Sequence, residues 1–318
     1  MPVQVVSFYR FVPFSLEELP QWRQRLLALG QAGDLRGTVL LAEEGLNGTV
    51  SGERAAVEAL VALLRSDPRL ADLELKSSEA PEPVFHRFKV RLKREIVTMG
   101  RPELQPAAGA PVGTYVAAAD WNALIRDPGT LVIDTRNAYE VAVGSFEGAI
   151  DPGTANFSDF PDWVENELRP LVERHQPRAL ALFCTGGIRC EKATAWLLRQ
   201  GFEGVHHLQG GILRYLEEVP EADSAWRGDC FVFDQRVALN HQLEPGEHSL
   251  CHGCRMPLSA ADRAQPSYRP GVCCPHCQAQ RDEADRARLL ERQRQVTLAR
   301  ARGDRHIGQV FASESSDG

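Results

Sequence analysis

The sequence has neither a long apolar run nor a recognisable leader segment. Every apolar stretch is well short of the roughly 20 residues that a membrane-spanning helix needs. The opening residues, MPVQVVSFYRF, lack the basic region, the apolar stretch and the cleavage site of a signal peptide. These absences predict a cytoplasmic protein with no membrane partner.

Cysteine does not occur before Cys184, and five of the eight cysteines crowd between residues 251 and 277. In a cytoplasmic chain this uneven distribution favours catalysis or metal binding over disulfides. The net charge of −7 excludes a uniformly basic nucleic-acid binder but leaves local basic surfaces open. A chain of 318 residues has room for two or three domains.

Residues 1–100 predict an α+β domain of the ferredoxin-like type. VQVVSFYRF is a strand, and a helix capped by Ser15 follows it. GTVLLAEEGLNGTVSG predicts two strands whose turn carries Asn47-Gly48, and a second helix is stopped by Pro68. With the strand LELKSS the order is βαββαβ, which is the ferredoxin-like arrangement.

The next segment, HRFKVRLKREIVTMG, alternates strictly between apolar and basic residues. As a strand it would place four cations on one face: Arg87, Lys89, Arg91 and Lys93. Such a face could follow a phosphate backbone. Equally, it could belong to an edge strand whose charge blocks unwanted pairing. The sequence leaves both interpretations open.

The rest of the chain is predicted to form four segments. Residues 101–114 are a linker, 115–225 an α/β domain with a parallel sheet, 226–280 a Cys-rich segment, and 281–318 an Arg-rich helix with a disordered tail. In the α/β domain, YEVAVGSFEGAI is predicted as a turn region, FSDFPDWVENELRPLV as one helix and residues 191–200 as a long helix. The Arg-rich helix could contact phosphates, although its mixed charges are more typical of a solvated helix.

The strongest signal is Cys184, at the end of the buried strand ALALF. Active sites of parallel sheets lie at the carboxyl ends of strands. The loop that follows opens a helix, and its glycines allow backbone N–H groups to form an anion-binding site: Thr185, Gly186, Gly187 and Ile188. Such a site lowers a cysteine pKa from about 8.5 to roughly 3.5–7.5. We therefore predict a reactive Cys184 thiolate, with Arg189 fixing the loop or adding its charge.

Three neighbouring residues receive weaker predictions. Cys190 could act as a second thiol, but a small apolar side chain in a first helical turn is the more common role. Asp134 and Arg136 end the strand VIDTR at the same sheet edge. We rank them below Cys184 and Arg189 as site residues.

The Cys-rich segment has the spacing C-x2-C, 19 residues, C-x2-C, which predicts a closed zinc-ribbon-like site with a structural zinc ion. The predicted ligands are Cys251, Cys254, Cys274 and Cys277. Cys273 could replace Cys274, whereas His252 and His276 are less favoured. Free or transiently oxidised thiols are the alternative.

Several of these motifs resemble known families. LVIDTRNAYEVAVGSFEGAI, FCTGGIRCEKA and VHHLQGGILRYLEE resemble the successive blocks of a rhodanese domain, in which the loop cysteine carries a persulfide. Four residues separate Cys184 from Arg189, one fewer than in cysteine phosphatases. Together with LLAEEGLNGTVSG before them and CHGCR and CPHC after them, they resemble the rhodanese-containing tRNA uridine hydroxylase family over nearly the full chain.

This resemblance implies an enzyme that uses oxygen to convert the wobble uridine of tRNA, position 34, to 5-hydroxyuridine. Its partner would be tRNA, held by the basic strand and the C-terminal region, and O2 would be a co-substrate. No flavin, haem or nicotinamide motif occurs, and the electron donor is not identified. Cys184 could add to uracil C6, or could carry a persulfide or sulfenic acid. A sulfurtransferase and a non-catalytic RNA-binding scaffold are the alternatives.

Overall fold

The computed structural model describes residues 2–106 and 111–303, and the chain divides into two compact units, one ending at Gly246 and the other beginning at Glu247. The first part of the first unit contains β1 (Val3–Phe11), α1 (Glu18–Ala32), β2 (Arg36–Ala42), β3 (Gly45–Gly52), α2 (Arg54–Arg65), β4 (Leu75–Ala80) and β5 (Phe88–Leu92). The five strands form one sheet in the order β4-β1-β3-β2-β5. This is the predicted ferredoxin-like arrangement, extended by β5, which pairs in parallel with β2 at the edge.

One face of this sheet is covered by α1 and α2. Alternate strand residues such as Phe8, Val39 and Val90 enter a common core with Trp22 and Leu60 from the helices. The predicted cap at Ser15 is present: its hydroxyl accepts from the Glu18 N–H at 3.2 Å. The opposite face of the sheet carries polar side chains and faces the functional site described below.

The predicted turn at Asn47-Gly48 is wrong. The two-residue turn lies at Glu43-Glu44, because Ala42 pairs with Gly45, and Asn47-Gly48 is inside β3. The glycine is needed for close packing, since a Cβ atom there would lie 2.9 Å from the Phe8 ring. We predicted Gly48 in a turn, whereas its role is to allow close packing within the sheet.

The second part of the first unit is a rhodanese-type α/β domain. Its elements are β6 (Thr114–Val116), α3 (Ala118–Ile125), β7 (Thr130–Asp134), α4 (Ala138–Val141), β8 (Gly144–Phe146), α5 (Phe160–Trp163), α6 (Arg169–His175), β9 (Ala179–Phe183), α7 (Ile188–Arg199), β10 (Val205–Leu208) and α8 (Gly211–Glu218). The sheet order is β6-β10-β9-β7, and every pairing is parallel, as predicted. All five residues of β9 are buried, which explains its uninterrupted apolar sequence.

Three local predictions in this domain need correction. The predicted turn region at residues 139–150 contains α4 and β8, because Asn137 and Glu140 form a capping box that starts a short helix. The helix predicted over 157–172 is interrupted by a π-helical segment, Val164–Leu168. The long helix begins at Ile188 rather than residue 191, so Arg189 and Cys190 are in its first turn.

A buried ion cluster joins the ferredoxin-like domain to the rhodanese domain. The ammonium of Lys192, on α7, lies 2.8 Å from the Glu44 carboxylate and 2.6 Å from the Glu95 carboxylate. The Lys192 side chain is fully buried. Because removing one partner would leave an uncompensated buried charge, these contacts hold the two domains in one arrangement.

The remaining elements lie on either side of Gly246. The first unit ends with β11 (Trp226–Gly228), β12 (Cys230–Phe231) and β13 (Ala238–Leu239); the second contains β14 (Ser249–Leu250), β15 (Pro257–Leu258), α9 (Ala260–Ala264) and α10 (Glu283–Ala301). Helix α10 is the predicted Arg-rich helix, and the predicted disordered tail lies outside the described residues beyond 303. Over the described ranges, no helix is both long and apolar enough to cross a bilayer. The bounds of the five predicted segments stay predictions.

Candidate active site

Cys184 follows β9 at the carboxyl edge of the parallel sheet and is fully buried. The N–H of Gly187 donates to its Sγ atom at 3.1 Å. Gly187 has φ = 101°, a left-handed conformation that favours glycine and turns this amide toward the sulfur. The loop therefore supplies a backbone donor at the amino end of α7, where the helix dipole also favours an anion.

The loop is held from behind by α8. The N–H groups of Ile212 and Leu213 donate to the carbonyl oxygens of Cys184 and Thr185 at 2.9 and 3.1 Å. A Cβ atom at Gly211 would lie 2.5 Å from the Cys184 carbonyl oxygen, so only glycine permits this approach. Gly210-Gly211 thus supports the same loop that contains Gly186-Gly187.

The surroundings of Cys184 favour the thiolate. Burial acts in the other direction, because it disfavours a charged sulfur. Hydrogen bonding from Cys190 and the positive charge of Arg189 outweigh burial, and with backbone N–H groups they lower the pKa of Cys184 to about 5. Burial and the adjacent Cys184 sulfur raise the pKa of Cys190, which stays a thiol and a donor. Cys190 is therefore a hydrogen-bonding neighbour of the predicted nucleophile.

Arg189 is held by a residue that sequence reasoning missed. Its guanidinium makes a bidentate pair with Glu140, at 2.7 and 2.8 Å, and both side chains are buried. Burial opposes ionisation of Glu140, but Arg189 outweighs it and lowers the pKa of that carboxyl. Glu140 also accepts from the Asn137 N–H at 3.1 Å. The sequence signal was the capping-box pair Asn137 and Glu140, which gives no hint of the arginine partner.

Asp134 and Arg136 form a second buried ion pair. Their side chains make a salt bridge at 2.5 Å, and Arg136 also donates to the Glu140 carbonyl at 3.3 Å and to the Gly144 carbonyl at 2.6 Å. The Ser145 hydroxyl donates to the Asp134 carboxylate at 2.9 Å. These contacts join β7 to β8, and the ranking of both residues below Cys184 stays a prediction.

The loop opens into a cavity of about 500 Å³ whose other wall is the polar face of the ferredoxin-like sheet. From the loop, Cys184, Thr185, Gly186, Ile188 and Arg189 line it. The sheet contributes Ser7, Tyr9, Thr38, Leu40, Asn47, Thr49 and Lys76, and further sides contribute Phe85, Phe157, Phe233 and Arg236. The volume suits a small flat ring with a few polar partners rather than a macromolecular segment.

Two side chains from the sheet reach the cysteine loop directly. The Tyr9 hydroxyl donates to the Glu191 carboxylate at 2.8 Å, and the Lys76 ammonium donates to the Gly186 carbonyl at 2.8 Å. Burial raises the pKa of Tyr9 and lowers that of Lys76. Neither residue could be found from the sequence, because each comes from a strand more than 100 residues before the loop.

The predicted basic strand is β5, at the sheet edge. Lys89 pairs with Thr38, and Arg91 pairs with Leu40, both of which line the cavity. Side chains opposite each other on adjacent strands share a face, so Lys89 and Arg91 belong to the cavity side of the sheet. One register row runs across all five strands, through Lys76, Ser7, Thr49, Thr38 and Lys89.

In the second unit, the four predicted ligands come together. The Sγ atoms of Cys251, Cys254, Cys274 and Cys277 all lie within 4.8 Å of one another. Two of the separations are 3.6 and 3.8 Å, and a tetrahedron with Zn–S bonds of about 2.3 Å has edges of about 3.8 Å. Four soft sulfur donors at this spacing could hold a metal ion and are compatible with zinc.

Two of the other candidate ligands, Cys273 and His276, contact other groups. The Cys273 thiol donates to the Ser267 carbonyl at 3.5 Å, and His276 lies 3.5 Å from the Asp262 carboxylate.

In α10, Arg288 and Arg294 pair with acidic residues of the same helix. These internal pairs agree with a solvated helix more than with a row of free cations.

Comparisons with known proteins match this architecture. Residues 3–96 match the model of the UPF0176 acylphosphatase-like domain, and residues 117–218 match that of the rhodanese-like domain.

Relatives that match nearly the whole chain carry one name. A tRNA uridine(34) hydroxylase of Synechococcus sp. strain CC9605 is 56% identical, covering 92% of this chain and 90% of the relative. Proteins of the same name from Mesorhizobium japonicum and Caulobacter vibrioides are 54% and 53% identical and cover at least 96% of both chains. Together with the cysteine loop and the two-domain cavity, these matches show that the chain belongs to the tRNA uridine(34) hydroxylase family.

Proposed function

We propose that this protein hydroxylates C5 of the wobble uridine, U34, of tRNA with O2 as co-substrate, and that Cys184 is essential. The observation that carries the proposal is the Cys184 thiolate at a cavity of about 500 Å³ in a chain of this family. A uracil ring suits a cavity of this size, and a tRNA anticodon loop can present an unstacked base. Because its substrate is tRNA, we propose that the protein acts in the cytoplasm.

In this proposal, the Cys184 thiolate adds to C6 of the uracil ring. The electron pair of the C5–C6 bond moves toward O4, so C5 becomes electron-rich and reacts with oxygen; loss of the thiolate later restores the ring. Incorporation of one oxygen atom from O2 releases the other as water and consumes two electrons from a donor that the chain does not identify. Formation of a persulfide or sulfenic acid at Cys184 is the competing route.

The charge that develops on the ring needs a nearby cation. Arg189 lines the cavity, but Glu140 already occupies its guanidinium through two hydrogen bonds. Lys76 lines the same cavity and contacts the cysteine loop through Gly186. We therefore assign the stabilising charge to Lys76 and the positioning of the loop to Arg189.

We propose that the anticodon arm lies across the polar face of the ferredoxin-like sheet. The row from Lys76 to Lys89 leads from the cysteine loop to the edge of the sheet. Arg87 and Lys93 continue the basic alternation beyond the ends of β5. Phosphate contacts by these cations would make binding salt-dependent. Each contact would steepen the slope of log binding constant against log salt concentration by about one.

We propose that the cysteine cluster of the second unit holds a structural zinc ion. Its four ligands would fill a tetrahedron and leave no position for substrate. Such a zinc ion would cross-link the segments around residues 251–254 and 274–277. The chemistry at Cys184 would not involve it.

Sulfurtransfer is the second candidate function, because the match to the rhodanese-like domain includes the cysteine loop. A sulfurtransferase would turn over thiosulfate or another sulfur donor and would not need oxygen. It would also depend on Cys184, so loss of activity in a Cys184 variant does not separate the two functions.

Nucleoside mass spectrometry of tRNA from cells that lack this gene separates them. The gene is restored as wild type, Cys184→Ala or Cys230→Ala, with and without oxygen; Cys230 is a buried cysteine of the same unit and serves as the matched control. We expect 5-hydroxyuridine derivatives only with oxygen and with wild type or Cys230→Ala. A thiolated nucleoside that depends on the gene would instead establish sulfurtransfer.

A further inference from the structure

Phe233 is an exposed aromatic residue at the edge of the cavity that contains Cys184. Its side chain is 65% exposed, yet it lines the cavity together with the half-buried Phe85. Its ring lies perpendicular to that of Phe231, with centroids 5.1 Å apart. A large apolar side chain exposed at the entrance of a polar site has a cost in solvation, which binding of a flat partner would offset.

The turn that carries Phe233 is rigid. Arg236 pairs with Asp234 at 2.6 Å, and both side chains are nearly buried. The same guanidinium donates to the Ser78 hydroxyl at 2.8 Å, which ties the turn to strand β4. The Phe233 ring is thus presented from a fixed backbone, so little conformational entropy would be lost when it binds a ligand.

Two further features fix the position of this turn. The Gln235 N–H donates to the Val84 carbonyl at 3.0 Å, so the segments that carry Phe233 and Phe85 are hydrogen-bonded neighbours. Val237 has φ = 65°, a strained conformation for a β-branched residue, and such strain concentrates at functional sites. The Val237 N–H donates to the Asp234 carbonyl at 3.2 Å, within the same turn.

We propose that Phe233 is a stacking platform for the base next to U34. The inference rests on the proposed function, because it takes RNA as the ligand. Cys184 is fully buried, so the target uracil must leave the anticodon stack to reach it, and its neighbour loses a stacking partner. An aromatic face at the cavity entrance replaces that partner, and stacking on such a face accepts any base.

The test measures binding of a fluorescently labelled anticodon stem-loop RNA to the full-length protein. Phe233→Ala is compared with Phe233→Trp, which keeps an aromatic face, and with Leu16→Ala as a matched control. Leu16 is 68% exposed and does not line the cavity. We expect Phe233→Ala to weaken binding by about 5- to 150-fold, while the other two variants bind like wild type.

RNAs without the base at position 33 or at position 35 identify the stacked base. The RNA that lacks the stacking base should bind wild type and Phe233→Ala with the same affinity. The salt dependence of binding should be the same in both proteins, since no phosphate contact is lost. An unchanged denaturant midpoint, followed by tryptophan fluorescence, verifies that the variant is folded.

The outcomes separate this inference from the proposed function. If Phe233→Ala binds the intact RNA as tightly as wild type does, the stacking role is wrong while the function stands. A penalty that persists in both modified RNAs also contradicts stacking on a neighbouring base. A wild-type protein that binds no anticodon RNA would overturn the proposed function itself.

Discussion

Cys184 and the cysteines of the second unit are in opposite electrostatic situations. Cys184 is one sulfur surrounded by donors and a guanidinium, and its pKa falls to about 5. In the cluster, the sulfurs act on one another: the hydrogen bond from Cys254 lowers the pKa of Cys251 to about 4, while that same bond and burial raise the pKa of Cys254, and burial raises that of Cys274 to about 11. The protein itself stabilises one thiolate, whereas four together require a metal cation. Cys184, whose thiolate is stabilised by groups of the protein, is therefore free to react. The cluster cysteines, whose thiolates need a metal cation, are occupied by binding it.

The largest effect is expected when one sulfur is removed from the cluster. We expect Cys274→Ser to lose zinc and the fold of the segment after Gly246, because structural zinc contributes about 10–16 kcal/mol. The measurement is the zinc content per chain, with limited proteolysis to follow the fold. Cys273→Ser is the matched control and should keep its zinc, since its thiol points to Ser267. Zinc retained in Cys274→Ser would contradict the assigned ligand set.

The next test removes the positive charge beside Cys184. We expect Arg189→Gln to destabilise the first unit by about 3–5 kcal/mol, because the buried Glu140 carboxylate loses its cationic hydrogen-bond partner. The same change should raise the pKa of Cys184. All five tryptophans lie in this unit, so denaturant unfolding followed by tryptophan fluorescence reports it alone.

A double variant sharpens this result. Replacing both partners, Arg189→Met with Glu140→Leu, should recover most of the stability, since neither charge of this pair is left buried without the other. It should not recover the low pKa of Cys184. Recovery of both properties together would show that the thiolate depends on packing and not on the guanidinium.

The third test is the pH dependence of the Cys184 thiolate. Its ultraviolet absorbance, taken as wild type minus Cys184→Ala, should titrate near pH 5, while zinc-bound thiolates change only when zinc is lost. Because folding lowers this pKa from 9.0, the unfolded chain binds one more proton between pH 5 and 9. The stability of wild type relative to Cys184→Ala should be greatest above pH 9 and should decline as the pH falls to about 5. A flat difference would contradict a thiolate in the folded protein.

The smallest effect concerns Cys190. We expect Cys190→Ala to raise the pKa of Cys184 by about one to two units, which is the value of one hydrogen bond to a charged group. The Cys184 titration measures this shift directly. Cys190→Ser, which keeps a donor, should restore the lower value; if it behaves like alanine, Cys190 acts through packing alone.

How much of the site could be predicted depended on sequence separation. The loop from Cys184 to Arg189 and the two C-x2-C pairs are local patterns, and the structure brings each together as predicted. Glu140 is 49 residues from Arg189, and Tyr9 is 182 residues from its partner Glu191. Such contacts depend on how sheets and helices pack, and no local pattern encodes them.

The prediction of a turn at Asn47-Gly48 was wrong for a related reason. Asn-Gly is a strong turn signal when only neighbouring residues are considered. In the fold, Phe8 from another strand lies against Gly48, and the Asn47 amide donates to the Ile96 carbonyl at 3.0 Å. Both residues are selected by tertiary contacts, which override the local preference.

The buried cluster of Lys192 with Glu44 and Glu95 has a consequence for whether the domains of this protein can be separated or recombined. Helix α7 begins at the cysteine loop, and one turn later its lysine is neutralised entirely by residues of the other domain. A rhodanese domain excised at the linker would carry that ammonium without a counter-ion, and a foreign partner domain would need two carboxylates in the same place. The catalytic domain is therefore not an exchangeable module in this chain, because its own folding is completed by its neighbour.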